Sequence, residues 1–234
     1  MDEEQQKRRA AIHGARWIGE DAVVGLGTGS TVRHLLDVIA EGRREGRWLG
    51  IRCVPTSRQT EEVARQLGIP LVSLDEEPVL DVTIDGADEV DQRLDLIKGR
   101  GGALLREKIV AAASRLRVII ADASKEVAKL GTRMPLPVEV DPFGAAIQPD
   151  FLRSLGAIPE LRRTANGVPF VSDGGNYILD CRFPDGIDDA AALERELNNR
   201  PGIVENGLFV GLADHVVVAS NDEIRVLSRA GASV

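Results

Sequence analysis

A chain of 234 residues with 43 % hydrophobic content holds enough apolar material for one large globular core or two modest ones. Its formal charge of −8, with basic residues interleaved among acids, argues against a nucleic-acid partner, because phosphate-backbone binding needs a concentrated basic face. No stretch approaches the roughly 20 apolar residues that span a bilayer, residues 1–9 are charged without an apolar run, and a cytoplasmic protein is expected.

In chain order, a helix is predicted near residues 3–19, then a short buried strand at 22–26 and a helix at 30–39 with apolar Val32, Leu35, Leu36 and Ile39. Between strand and helix runs Gly27-Thr28-Gly29-Ser30-Thr31. A glycine loop feeding a helix start presents backbone N–H groups and the positive end of the helix dipole, and the hydroxyls of Thr28, Ser30 and Thr31 add donors. That makes an anion site, most simply a phosphate site. The competing reading is that the glycines serve only close strand-to-helix packing. Gly25 and Gly27 begin a dinucleotide fingerprint, but its third glycine would fall at position 30, which is Ser30, and no Gly-Lys-Ser/Thr of an ATP loop is present.

A strand at 51–54 and a helix at 57–67 follow, with Ser57 read as a cap more than as a binding group. The next strand, 79–84, delivers Asp85 to its carboxyl end, the edge of an open α/β sheet where ligands bind. Gly86 and Ala87 form a tight turn that returns Asp88 to the same side. Six acids, Asp81, Asp85, Asp88, Glu89, Asp91 and Asp95, lie within fifteen positions here. They lack EF-hand spacing, and Lys98 supplies positive charge nearby without a metal. Asp85 and Asp88 also suit plain turn formation.

Lys98-Gly99-Arg100-Gly101-Gly102 leads into a helix predicted over 102–113. On it, Glu107 has Ala103, Leu104, Val110 and Ala111 as its neighbours at three and four residues, positions that offer no Lys or Arg for a salt bridge at helical spacing. An apolar surrounding favours the protonated acid, which suits a general base working near neutral pH. The plainer alternative is a boundary Glu reaching out to water. A strand at 117–121 then delivers Lys125, a phosphate-gripping candidate that by itself reads as a solvated charge.

After Lys129 the texture changes to frequent proline, with strands at 137–140, 158–162, 169–171 and 176–183 and helices at 149–155 and 188–198. The apolar strand at 215–219 is expected to return to the first sheet. The predicted fold is α/β: a doubly wound, mostly parallel, Rossmann-like sheet from residues 1–130 and 208–234, with an inserted α+β, ferredoxin-like subdomain at 131–207. Cys53 and Cys181 fall inside predicted strands as reduced core residues, and His13, His34 and His215 have no metal-ligand spacing. The pairs Arg8-Arg9, Arg43-Arg44 and Arg162-Arg163 read as solvated faces.

The chain resembles the type A ribose-5-phosphate isomerases in several runs taken in family order: Gly25 through Thr31, Asp85-Gly86-Ala87-Asp88-Glu89, Lys98 through Gly102, Arg106-Glu107-Lys108, Asp122-Ala123-Ser124-Lys125, Pro137-Val138-Glu139-Val140 and Val204 through Phe209. The resemblance implies interconversion of ribose 5-phosphate and ribulose 5-phosphate without cofactor or metal, in a homodimer or homotetramer. It implies Glu107 as general base, Asp85, Asp88 and Lys98 as catalytic partners, and substrate contacts at Thr28, Gly29, Ser30, Thr31, Asp85, Gly86, Ala87, Asp88, Lys98, Gly99, Arg100, Gly101 and Lys125. Arg100 departs from a loop that the family often writes as three glycines. Two other readings stand beside it: a sugar-phosphate sensor that binds without turnover, and a dinucleotide oxidoreductase, disfavoured by the missing glycine.

Overall fold

The computed structural model describes residues 2–231. It divides into two compact units, the first formed by Met1–Ala87, Arg106–Lys125 and Gly211–Val234, the second by Asp88–Leu105 and Glu126–Val210.

The first unit is built on a six-stranded sheet in the order Ile224–Ser228, His215–Ala219, Ser114–Asp122, Leu80–Asp85, Val23–Leu26, Arg52–Pro55. Five strands run parallel, and the Ile224–Ser228 edge strand runs antiparallel to its neighbour. Val23–Leu26 and His215–Ala219 are buried along their whole length, as strands of a sheet covered by helices must be. Val24, Leu26, Ile84, Val118, Ile120 and Val217 pack with Leu35, Leu36 and Ile39 of the helix Ser30–Arg44. The chain leaves Val23–Leu26 for the Arg52–Pro55 strand on one side and later adds Leu80–Asp85 on the other. This reversal makes the carboxyl ends of Val23–Leu26 and Leu80–Asp85 the switch point of the sheet, the edge at which open α/β sheets bind ligands.

The first helix, Glu3–Gly14, is shorter than its predicted span and passes into a 3-10 turn at Ala15–Trp17. Gly14 lies so close to the sheet that a Cβ there would meet Ile120 Cγ2 at 2.5 Å. Cys53 is buried in its strand, and burial pushes its thiol up to about 12.

The second unit carries a four-stranded antiparallel sheet in the order Ile203–Asn206, Leu136–Val140, Tyr177–Arg182, Ile158–Leu161, with the helices Gln148–Ser154 and Ala190–Asn198 in the connections. This is the ferredoxin-like order. Cys181 is buried in it, its thiol raised by burial and by Asp180. Residues 169–171, expected as a strand, make the single bridge Arg163↔Pro169, flanked by bonds of 2.9 Å from Thr164 N to Val168 O and from Phe170 N to Arg162 O.

The sequence reading missed a three-stranded sheet of Leu208–Phe209, Leu96–Ile97 and Glu89–Val90. Pairing with Leu208–Phe209 is what groups the 88–105 stretch with the second unit, so that unit draws on two separate chain segments.

Candidate active site

In the first unit, the loop after Val23–Leu26 turns directly into the Ser30–Arg44 helix. Gly29 is the cap residue at φ 121°, and no side chain caps the first-turn N–H groups. Ser30 is exposed and Thr31 is buried beside it. Thr28 is half-buried. Its Oγ1 lies 2.8 Å from both Thr56 Oγ1 and Ser57 Oγ, in a buried hydroxyl cluster that Thr60 ties to the Gly27 carbonyl at 2.8 Å. Thr28 therefore shapes the loop from below. Ser57 caps its helix as expected, accepting from Thr60 N at 3.0 Å.

The neighbouring loop carries Asp85, only 3 % exposed, whose Oδ1 accepts from Thr28 N at 3.1 Å and from Gly86 N at 2.7 Å. Two adjacent strand ends are thus stitched together by one carboxylate. Gly27 makes the approach feasible, since its missing Cβ would stand 2.0 Å from Asp85 Oδ1. Gly86 and Ala87 continue the loop half-buried.

Glu107 lies in the first turn of the helix Leu104–Ala112 and is 4 % exposed. That helix ends at the amino edge of the sheet, where Leu80 N donates to Ala113 O at 2.9 Å. Val110 packs over Gly25, Val23 and Leu80. Glu107, about 5 Å earlier along the axis at 1.5 Å per residue, is therefore displaced toward the carboxyl edge that holds Asp85. Lys125, half-buried, follows the next strand in a 3-10 turn that Asp122 shapes by accepting from Ser124 N at 2.9 Å.

In the second unit, Asp88 N donates to Ile97 O at 2.8 Å, and its Oδ2 accepts from Arg100 N at 2.9 Å. Lys98 is 3 % exposed, with its N–H on Gly207 O at 2.9 Å and its ammonium 5.5 Å from the Phe209 ring centroid. Gly99 has φ 102°, a conformation that favours glycine, while Arg100 and Gly101 are exposed. Arg100 borders a cavity of about 190 Å³ together with Asp88, Met134, Pro135, Pro137, Arg162 and Asp180.

Three of the clustered acids serve the fold. Asp81 Oδ2 accepts from Val23 N at 2.9 Å and its Oδ1 pairs with Arg115 at 2.8 Å. Glu89 accepts three backbone N–H groups, from Gly131 at 2.6 Å and from Arg133 and Met134 at 2.7 Å. Asp91 Oδ1 accepts from Arg93 N and Asp95 N at 2.8 and 2.9 Å. No group of three or more His, Cys, Asp or Glu suited to a metal ion occurs among the described residues. Sequence reasoning passed over Arg162, which holds the 98–102 loop; its place in an Arg-Arg pair gave no signal of that.

The first unit is thus an α/β fold with a glycine loop at a helix start beside a buried carboxylate at a strand end, and the second carries a buried lysine on a glycine-rich turn. The family model described as ribose 5-phosphate isomerase A (phosphoriboisomerase A) matches residues 52–223. A ribose-5-phosphate isomerase A of Rhodopseudomonas palustris (strain TIE-1) is 51 % identical, covering 98 % of this chain and 100 % of its own length. That of Roseiflexus sp. (strain RS-1) is 48 % identical, with 96 % of each covered. Among solved structures, a D-ribose-5-phosphate isomerase in complex with phospho-erythronic acid superposes with TM-score 0.95 at 40 % identity, covering 98 % of this chain and 100 % of that one. The ribose 5-phosphate isomerase A of Methanocaldococcus jannaschii does so with TM-score 0.91 at 38 % identity, covering 96 % and 99 %. The chain belongs to the ribose 5-phosphate isomerase A family.

Proposed function

We propose that the protein interconverts D-ribose 5-phosphate and D-ribulose 5-phosphate through an enediolate. What carries this reading is the full-length family membership, with 51 % identity to a ribose-5-phosphate isomerase A. Moving the carbonyl from C1 to C2 requires a proton to leave C2 and return at C1, and one carboxylate serves both transfers. Glu107 is that base: its burial keeps the carboxylate from bulk water, so that the proton it takes is handed back. Lys98 stabilises the oxyanion that develops, a preorganised contact worth roughly 3 kcal/mol. Asp85 opens the furanose ring and moves hydroxyl protons, and Asp88 orients hydroxyls and the 98–102 loop. The Ser30–Arg44 helix start, with Ser30 and Thr31, and Lys125 hold the anionic part of the substrate.

The phospho-erythronic acid bound by a relative fits this chemistry, since the carboxylate of a phosphorylated sugar acid imitates the paired oxygens of an enediolate. We further read the protein as a cytoplasmic homodimer or homotetramer. No helix among the described residues is long and apolar enough to cross a membrane, and both cysteines are free and buried.

The test is ketose formation from ribose 5-phosphate by the purified protein and by Glu107→Gln. The variant is expected to lose roughly 10²–10⁴-fold in kcat with substrate affinity nearly unchanged. Near-normal turnover in Glu107→Gln would remove Glu107 from its role. Binding without turnover in the unaltered protein would mean a sensor.

A further inference from the structure

We propose that Arg162 is a positioning residue for the isomerisation, fixing the 98–102 loop so that Lys98 is held on target. The inference rests on the role given to Lys98 above. A loop containing Gly99, Gly101 and Gly102 has few side chains with which to hold itself, and glycine's backbone freedom makes any one conformation expensive in entropy. Within the loop Gly102 N donates to Gly99 O at 2.9 Å, and the remaining order comes from outside. Arg162 Nη1 donates to the carbonyls of Gly99 and Arg100, each at 3.0 Å. The N–H of the same Gly99-Arg100 peptide is taken by Asp88 Oδ2 at 2.9 Å. That peptide plane is thereby gripped at both of its polar ends, one residue after Lys98.

The guanidinium is itself held rigidly. Its Nε donates to Asp180 Oδ2 at 2.9 Å and its Nη2 to Oδ1 at 2.5 Å, a two-pronged pair whose side chains are only 15 % and 25 % exposed. Its carbon lies 5.7 Å from the Phe170 ring centroid. The same ring closes the far end of the loop: a Cβ on Gly102 would meet Phe170 Cε1 and Cζ at 2.5 Å. Arg162 N bonds to Ile178 O at 2.8 Å and Phe170 N to Arg162 O at 2.9 Å, so the clamp stands on hydrogen-bonded backbone. A lysine could not reproduce it, because one ammonium lacks the planar fork that serves a carboxylate on one side and two carbonyls on the other.

The experiment measures kcat and KM for ribose 5-phosphate in Arg162→Met, Lys98→Ala and the double variant, each checked for folding by circular dichroism. Arg162→Met should lower kcat about 10- to 100-fold, the loss that a misplacement near 1 Å brings, with a smaller change in KM. In the Lys98→Ala background the same substitution should change kcat by less than about twofold, because the group it aims is gone. A purely structural role would lower stability in both backgrounds and give no such dependence on Lys98. If Arg162→Met does not fold, Asp180→Asn, which keeps shape and loosens the guanidinium, should show a smaller loss with the same dependence. An unchanged kcat in the folded variant, or losses that multiply in full in the double variant, overturns the proposal. Lys98→Ala with normal turnover would instead strike the role of Lys98, and this inference with it.

Discussion

A methyl group at position 27 would stand 2.0 Å from Asp85 Oδ1 and 2.6 Å from Asp85 Cα. A flexible side chain could swing away, but a backbone atom cannot, so Gly27→Ala must part the two loops at the carboxyl edge. The bond from Thr28 N to Asp85 Oδ1 would be lost with it. Gly27→Ala is expected to cost about 1–3 kcal/mol in stability from overpacking. Its kcat/KM should also fall by at least about tenfold, since Asp85 is moved from its place. Steady-state kinetics beside thermal unfolding checks both, and unaltered kinetics in a destabilised protein would mean that Asp85 need not sit where Gly27 admits it. Gly27 was readable in the sequence as part of an anion loop, but its actual constraint, a carboxylate from a strand far along the chain, was not. The hydroxyl contacts of Thr28 with Thr56 and Ser57 were likewise beyond any local pattern, because they join segments 28 and 29 residues apart.

Elements follow the period of their apolar residues where they are long enough to have one. The helices Ser30–Arg44 and Arg58–Gln66 and the parallel strands were legible because burial on one face or both stamps a pattern on four or more residues. Strands of two residues, Glu89–Val90, Leu96–Ile97 and Leu208–Phe209, carry no period, and the sheet they form stayed hidden. Glu89 shows what fastens this part of the unit. Fully buried, its carboxylate ties the short strand to the turn at 131–134 through three backbone N–H groups. Bonds to a charged acceptor are worth more than neutral ones, and an amide replacing one oxygen would aim N–H at N–H. Glu89→Gln is therefore expected to lose about 3 kcal/mol in urea unfolding, while the protein that remains folded keeps its kcat within a few-fold. An unchanged unfolding midpoint would mean that those bonds add nothing net to the fold.

At the scale of the whole molecule, the alternation of strand and helix announced a parallel sheet, and the sheet in turn announced the edge where its loops gather. Arg162 was invisible at that scale because its work is done by contacts 62 and 63 residues away in sequence, which no local pattern records. Of the acids crowded at 81–95, Asp81, Glu89 and Asp91 are bound to backbone N–H groups of the fold, and Asp85 and Asp88 stand on the loops. An aldose–ketose interconversion moves a proton within one molecule and leaves the overall oxidation level unchanged, so no external electron acceptor is called for. The one charge that needs stabilising is the enediolate oxygen, and under the proposed mechanism the Lys98 ammonium meets it. Turnover of ribose 5-phosphate is accordingly expected to be the same in excess EDTA as without it, and to need no nicotinamide. Following ketose formation after exhaustive chelation decides the matter: a loss of most of the activity, restored by one divalent cation, would move the oxyanion's counter-charge from Lys98 to a metal and require the acids of the two loops to be reassigned as its ligands.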